Sequence, residues 1–143
     1  MADEQSTIAP IVPAPSELTA FFWDGAREGR LLVQRCNTCH RFQHPPEPVC
    51  HHCLSFDLGH GEMSGRGTIY TYEIATQAFH PWFADKLPYV IGVVELDEQR
   101  GLKLLTNLVD FPDGALAVGA RVQVRFRPLT DEFSLPVFGP AAA

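Results

Sequence analysis

The sequence predicts a mainly β protein in which a short N-terminal helix leads into a four-cysteine ribbon and then a small five-stranded barrel. Three observations predict it. The 12 Pro and 11 Gly among 143 residues interrupt long helices and favour short strands joined by turns. The chain's only four cysteines, Cys36, Cys39, Cys50 and Cys53, form two Cys-x2-Cys pairs with ten residues between them. From Thr68 onward, apolar residues recur with the period of two that marks half-buried strands.

Residues 1–15, with Pro10, Pro13 and Pro15, read as an extended arm. Helical spacing begins after it. Ser16 is placed as an N-cap and Glu17 suits the positive end of the helix dipole. Leu18, Phe21, Phe22 and Ala26 follow at i, i+3, i+4 and i+8, which predicts an amphipathic helix over 16–28 that Gly25 and Gly29 weaken and close. Its face, with Trp23 beside the two Phe, is expected to pack on the chain's own body. The alternative is that helix and arm together grip another subunit. Residues 1–29 are thus the arm and helix.

A ribbon is predicted over 30–62. A strand at 31–35 runs into the first cysteine knuckle, 40–44 forms a second strand stopped by Pro45 and Pro46, and 56–63 forms a third after the second knuckle. The barrel occupies 63–143. In its first strand, 68–75, Ile69, Thr71 and Glu73 are expected on one face and Tyr70, Tyr72 and Ile74 on the other. Residues 89–96 are continuously apolar and suit a central strand, paired as a hairpin with 102–109 across the turn at 97–101. After a loop at 110–119, residues 121–127 alternate with Val122, Val124 and Phe126 inward. A last strand lies near 135–138. Five such strands suit a small barrel that closes its own edges.

Seventeen acidic residues against 11 Lys and Arg give a net charge of −6, which argues against wholesale electrostatic binding of nucleic acid. The start, Met1-Ala2-Asp3-Glu4-Gln5, is acidic, and prolines break the apolar residues after it, so no secretory signal is read there. No apolar run is long enough for a bilayer span. A cytoplasmic location is therefore expected, where clustered cysteines stay reduced and bind metal more often than they pair.

Two residues between thiols let a tight knuckle aim both sulfurs at one ion, and two knuckles complete a tetrahedron. Cys36, Cys39, Cys50 and Cys53 are expected to hold a structural Zn²⁺ with no coordination position left for water or substrate. Iron on the same four thiolates, serving electron transfer, is the competing occupant. His40, His51 and His52 lie close enough in sequence to replace a thiolate, but with four cysteines present they are expected around the site rather than in it.

No catalytic residue is expected. The cysteines are committed to metal, and neither a Gly-x-Ser-x-Gly stretch nor a phosphate-loop or dinucleotide fingerprint occurs. Phe79, His80, Trp82 and Phe83 lie in an aromatic loop between two predicted strands, the kind of position that touches a ligand or partner. The outward row Arg121, Arg125 and Arg127 reads either as a solvent face or as a contact for phosphates, whether of a nucleic acid or of coenzyme A.

The order of helix, ribbon and barrel from Leu18 to Phe138 resembles the OB-fold proteins with a rubredoxin-like zinc ribbon that accompany thiolases. The resemblance rests on the run from Gly29 to Cys39, on the second knuckle, on Gly67-Thr68-Ile69-Tyr70-Thr71-Tyr72 and on Leu135-Pro136-Val137-Phe138. It implies an accessory, non-catalytic subunit that binds a thiolase-fold enzyme acting on acyl-CoA, helps assemble it and can help enclose the CoA thioester. Partners of the thiolase, acyltransferase and steroid side-chain aldolase types are implied alike. The alternative function is single-stranded nucleic-acid binding, which OB barrels perform with surface aromatics beside a basic groove. The acidic charge weighs against it.

Overall fold

A computed structural model describes residues 8–142, so the first seven residues of the expected arm lie outside the described residues. Within them the single α-helix, α1, spans Ala20–Arg27 and so starts four residues later than the spacing predicts. Ser16 and Thr19 account for the difference. Ser16 N–H donates to Thr19 Oγ1 at 2.9 Å and Thr19 N–H to Ser16 Oγ at 3.3 Å, closing a turn before the helix begins. Ser16 thus caps this turn rather than α1 itself, which Thr19 precedes without a side-chain cap bond. The end matches expectation. Gly29 takes φ +74, its N–H bonds Ala26 O, and Arg30 N–H reaches back to Gly25 O at 2.8 Å. This paired closure needs a left-handed residue, which glycine supplies without a Cβ penalty.

The ribbon is a three-stranded antiparallel sheet of β1 (Leu32–Cys36), β2 (Phe42–Gln43) and β3 (Leu58–Glu62), ordered β2-β1-β3. The second strand is shorter than predicted. His40 adopts φ +66 while its N–H closes the knuckle onto Cys36 O, and Pro45 has no N–H to extend the ladder.

The barrel is closed, with order β4-β5-β6-β8-β7, formed by β4 (Arg66–Ala75), β5 (Tyr89–Leu96), β6 (Lys103–Leu108), β7 (Arg121–Pro128) and β8 (Ser134–Pro140). Closure runs through the β4–β7 ladder and a short parallel contact that sets Leu108 opposite Phe138. This is the five-stranded, OB-like architecture expected. One strand departs from its predicted alternation. A bulge between Ile69 and Thr71 inserts an extra residue into β4, so Tyr72 joins Ile69 against the core while Tyr70 and Ile74 stay about half exposed.

One apolar core joins all three parts. Phe22 of the helix, Leu31 and Val33 of the ribbon, and Ile69, Val94, Leu104, Val122 and Phe138 of the barrel belong to one cluster. The helix face thus packs on the chain's own body. Phe21 stacks on His60 with ring centroids 4.9 Å apart, and Trp23 meets Phe133 edge-on. Ribbon and barrel are also clasped by polar groups. The Gln99 side chain accepts from Phe42 N–H at 2.9 Å and donates to Phe42 O at 2.8 Å, occupying the outer edge of β2 as an extra strand would. No helix among the described residues is long and apolar enough to cross a membrane.

Candidate functional site

The two knuckles converge. All four cysteine sulfurs lie within 4.8 Å of one another, and this cluster contains no histidine nitrogen. Cys36 Sγ to Cys53 Sγ is 3.6 Å and Cys39 Sγ to Cys50 Sγ is 3.7 Å. Four sulfurs about 2.3 Å from a central zinc stand at about 3.8 Å from each other by tetrahedral geometry, close to these two spacings.

Backbone donors prepare the thiolates. The N–H groups of Thr38 and Cys39 point at Cys36 Sγ and that of His52 at Cys50 Sγ, each at 3.4 Å. The Cys39 N–H is the main influence lowering the Cys36 thiol to about 6, against the opposing effect of burial. The Cys53 N–H likewise leads in lowering Cys50. At Cys53 the Ser55 N–H favours the thiolate, but desolvation and the three neighbouring thiols outweigh it and push the group up to about 12. Four thiols in one cluster cannot all ionise without a cation among them, and a divalent ion supplies that charge. Zn²⁺ bound here would leave no open position, and so would brace the fold rather than activate a substrate.

The knuckles are held by amides that the sequence reading did not single out. Gln34 is buried, with Nε2 donating to Glu47 O at 2.9 Å while its Oε1 accepts from Gln43 Nε2 at 2.7 Å and Glu47 N–H at 3.0 Å. Gln43 continues to the second knuckle, accepting from His51 N–H and donating to Val49 O, each at 3.0 Å. Their alternation with apolar neighbours looks like an ordinary strand face, so only tertiary structure reveals the network.

The aromatic loop is organised rather than loose. Pro81–Phe83 forms one 3₁₀ turn, capped by His80 Nδ1 accepting from Trp82 N–H at 3.1 Å. Lys86 Nζ sits 3.4 Å from the Trp82 ring centroid, and Phe83 stacks on Tyr89 at 5.1 Å. Trp82 and Phe83 line a groove of about 530 Å³ running to β6, β7 and β8. Phe79, 88% exposed, and His80 do not line it, so the four predicted contact residues divide between groove wall and solvent.

The outward arginines face carboxylates. Arg121 forms a fork with Asp97, one arm at 2.7 Å, and holds that carboxyl below its ordinary range mainly through the hydrogen bond. Arg125 and Arg127 share Asp110 at 2.8 and 3.2 Å. Sequence did not mark His44 either. It lines a second pocket of about 330 Å³ between helix, ribbon and barrel with Phe22, Trp23 and Leu135, and burial pushes its imidazole down to about 4. Its Nδ1 is the buried side-chain atom that lacks a hydrogen-bond partner among the described residues.

Comparison with known proteins agrees with this architecture. Residues 23–59 match the family model described as ChsH2, rubredoxin-like zinc ribbon domain, and residues 61–127 match ChsH2, C-terminal OB-fold domain. The solved structure titled Ltp2-ChsH2(DUF35) aldolase superposes with a TM-score of 0.82 at 40% identity, covering 92% of this chain and all of that one. A probable enoyl-CoA hydratase alpha subunit of Thermomonospora curvata is 40% identical over 129 residues, 90% of this chain but 39% of its own length. A DUF35 domain-containing scaffold protein of Methanocaldococcus jannaschii is 28% identical over 112 residues, 77% of each chain. The chain thus spans about two fifths of the curated hydratase subunit it matches and most of the scaffold protein.

Proposed function

The chain belongs to the DUF35 family in its ChsH2 form, a rubredoxin-like zinc ribbon followed by an OB-fold domain, and from that premise we propose a non-catalytic accessory subunit of a thiolase-fold enzyme acting on acyl-CoA thioesters. The observation that carries the reading is the superposition, over the whole of the other chain, on the DUF35 component of an Ltp2-ChsH2 aldolase. The likeness to that aldolase favours the aldolase type, of which steroid side-chain cleavage is an instance, over the thiolase and acyltransferase types. The name of the scaffold relative supports a role in assembly rather than in chemistry.

In this reading Zn²⁺ on Cys36, Cys39, Cys50 and Cys53 braces the ribbon, residues 30–62, against the barrel, residues 63–143. The arm, residues 1–15, together with the barrel forms the partner surface. Phe79 and His80 meet the partner. Trp82 and Phe83 meet a ligand, which includes a CoA thioester shared with the partner's site. The cytoplasm, where the thiols stay reduced, is the compartment that suits it.

The test is co-expression of the tagged chain with the thiolase-fold subunit encoded nearest to it. The two are expected to co-elute in a fixed ratio through affinity and size-exclusion steps. Elution as separate species at micromolar concentration would count against the proposal.

A further inference from the structure

The groove beneath the aromatic loop has two properties that together specify a ligand. Its walls are apolar, built by Trp82, Tyr89, Leu135 and Val137, and its volume of about 530 Å³ falls within the range of about 300–1,000 Å³ that holds small molecules. It is also preformed: the His80 cap, the Lys86 ammonium over the indole and the Phe83–Tyr89 stack fix the wall before anything binds.

The charge on that wall is unbalanced. Lys86, Asp110 and Arg127 line the groove. Lys86 is engaged by Asp85 at 3.0 Å and by Trp82 O at 2.8 Å. Asp110 must serve two guanidiniums, and Arg125 holds it more closely, at 2.8 Å, than Arg127 does at 3.2 and 3.3 Å. Among the described residues, Arg127 bonds only through Nη2, so its Nη1 and Nε donors have no protein partner.

We propose that this groove binds an amphipathic anion, an apolar chain or ring system ending in a carboxylate or phosphate, with the apolar body against Trp82 and Tyr89 and the anion on Arg127. A guanidinium N–H pairs with either anion type through a charge-assisted hydrogen bond, a contact that a neutral amphiphile makes more weakly. The inference rests on the reading of Trp82 and Phe83 as ligand contacts and extends it by assigning a ligand class to this chain without its partner. Success or failure of partner co-elution is therefore a separate result.

The test titrates the isolated full chain with octanoate, octyl phosphate, 1-octanol and inorganic phosphate, following amide and indole NMR shifts. Saturable shifts are expected at Trp82, Tyr89 and Arg127 with octanoate or octyl phosphate. Whichever of the two binds more tightly identifies carboxylate or phosphate as the preferred terminus, and either supports the proposal. Arg127→Gln should weaken anionic ligands at least fivefold and leave octanol within twofold, with the spectrum elsewhere unchanged. Trp82→Ala should weaken all three octyl compounds. Absence of saturable shifts, shifts confined to another surface, equal affinity in Arg127→Gln, or inorganic phosphate binding as well as octyl phosphate would each overturn it.

Discussion

His44 shows how a single side chain can set a condition on the whole fold. Its ring lies 5.3 Å from that of Phe22, and burial lowers its pKa from 6.5 to about 4. It is therefore neutral when folded and titrates near its ordinary value when unfolded. The unfolded chain then binds the extra proton first, so stability is undiminished above about pH 6.5 and falls as pH drops toward 4. The loss attributable to this group is at most about 3 kcal/mol by pH 4. Urea denaturation of wild type and His44→Gln between pH 7.5 and 4.5 should show the gap between them changing in the variant's favour as pH falls. A gap independent of pH would exclude the effect. Gly65 sets a steric condition. At φ +78, an added Cβ would lie 2.2 Å from Val124 Cγ1, whereas at Gly101, φ +83, it would meet nothing within 4 Å. Gly65→Ala should thus cost clearly more than Gly101→Ala, whose strain alone is about 1 kcal/mol or somewhat more; paired thermal melts would show it. The cysteines were legible in sequence because two short spacings encode their convergence. His44 and Gln34 were not, because burial and amide partners come from residues distant in the chain.

At the scale of elements, the ribbon and barrel depend on one another. Leu31 and Val33 of the ribbon pack in the same cluster as Val94 and Val122 of the barrel, and Gln99 reaches across to pair with the backbone of Phe42. Removing metal with a chelator, or substituting Cys39→Ser, should abolish one-to-one zinc content and raise amide exchange through both knuckles and β1. Protection on the β7–β8 ladder should fall less, since those strands pair without help from the ribbon. Gln99→Leu leaves a backbone donor and acceptor of Phe42 without their partner and should cost about 1–3 kcal/mol, with Phe42 the amide most accelerated in exchange. The strands themselves were largely legible, because alternation of apolar residues reports which face is buried. The bulge in β4 was not. Tyr70 continues the alternating pattern by residue type, and only pairing with β5 shows that it has been squeezed out of register. The helix start was misplaced for a similar local reason, since Ser16 and Thr19 spend their hydroxyls on a turn.

For the whole molecule, the net charge of −6 and the carboxylate partners of Arg121 and Arg125 leave little of the basic surface that a nucleic-acid groove needs. The order of helix, ribbon and barrel was readable because each part has its own period or spacing. A partner enzyme is not readable in the same way, because under the proposed function its substrate chemistry resides in another chain. The proposed function has the chain assist acyl-CoA chemistry without performing it. The most direct measurement is acyl-CoA turnover by the purified chain, by the thiolase-fold subunit, and by the two together at equal concentration. No turnover is expected from the chain alone, and the pair should exceed the rate of the other subunit alone. Turnover by the isolated chain, or a pair no faster than the thiolase-fold subunit, would contradict it.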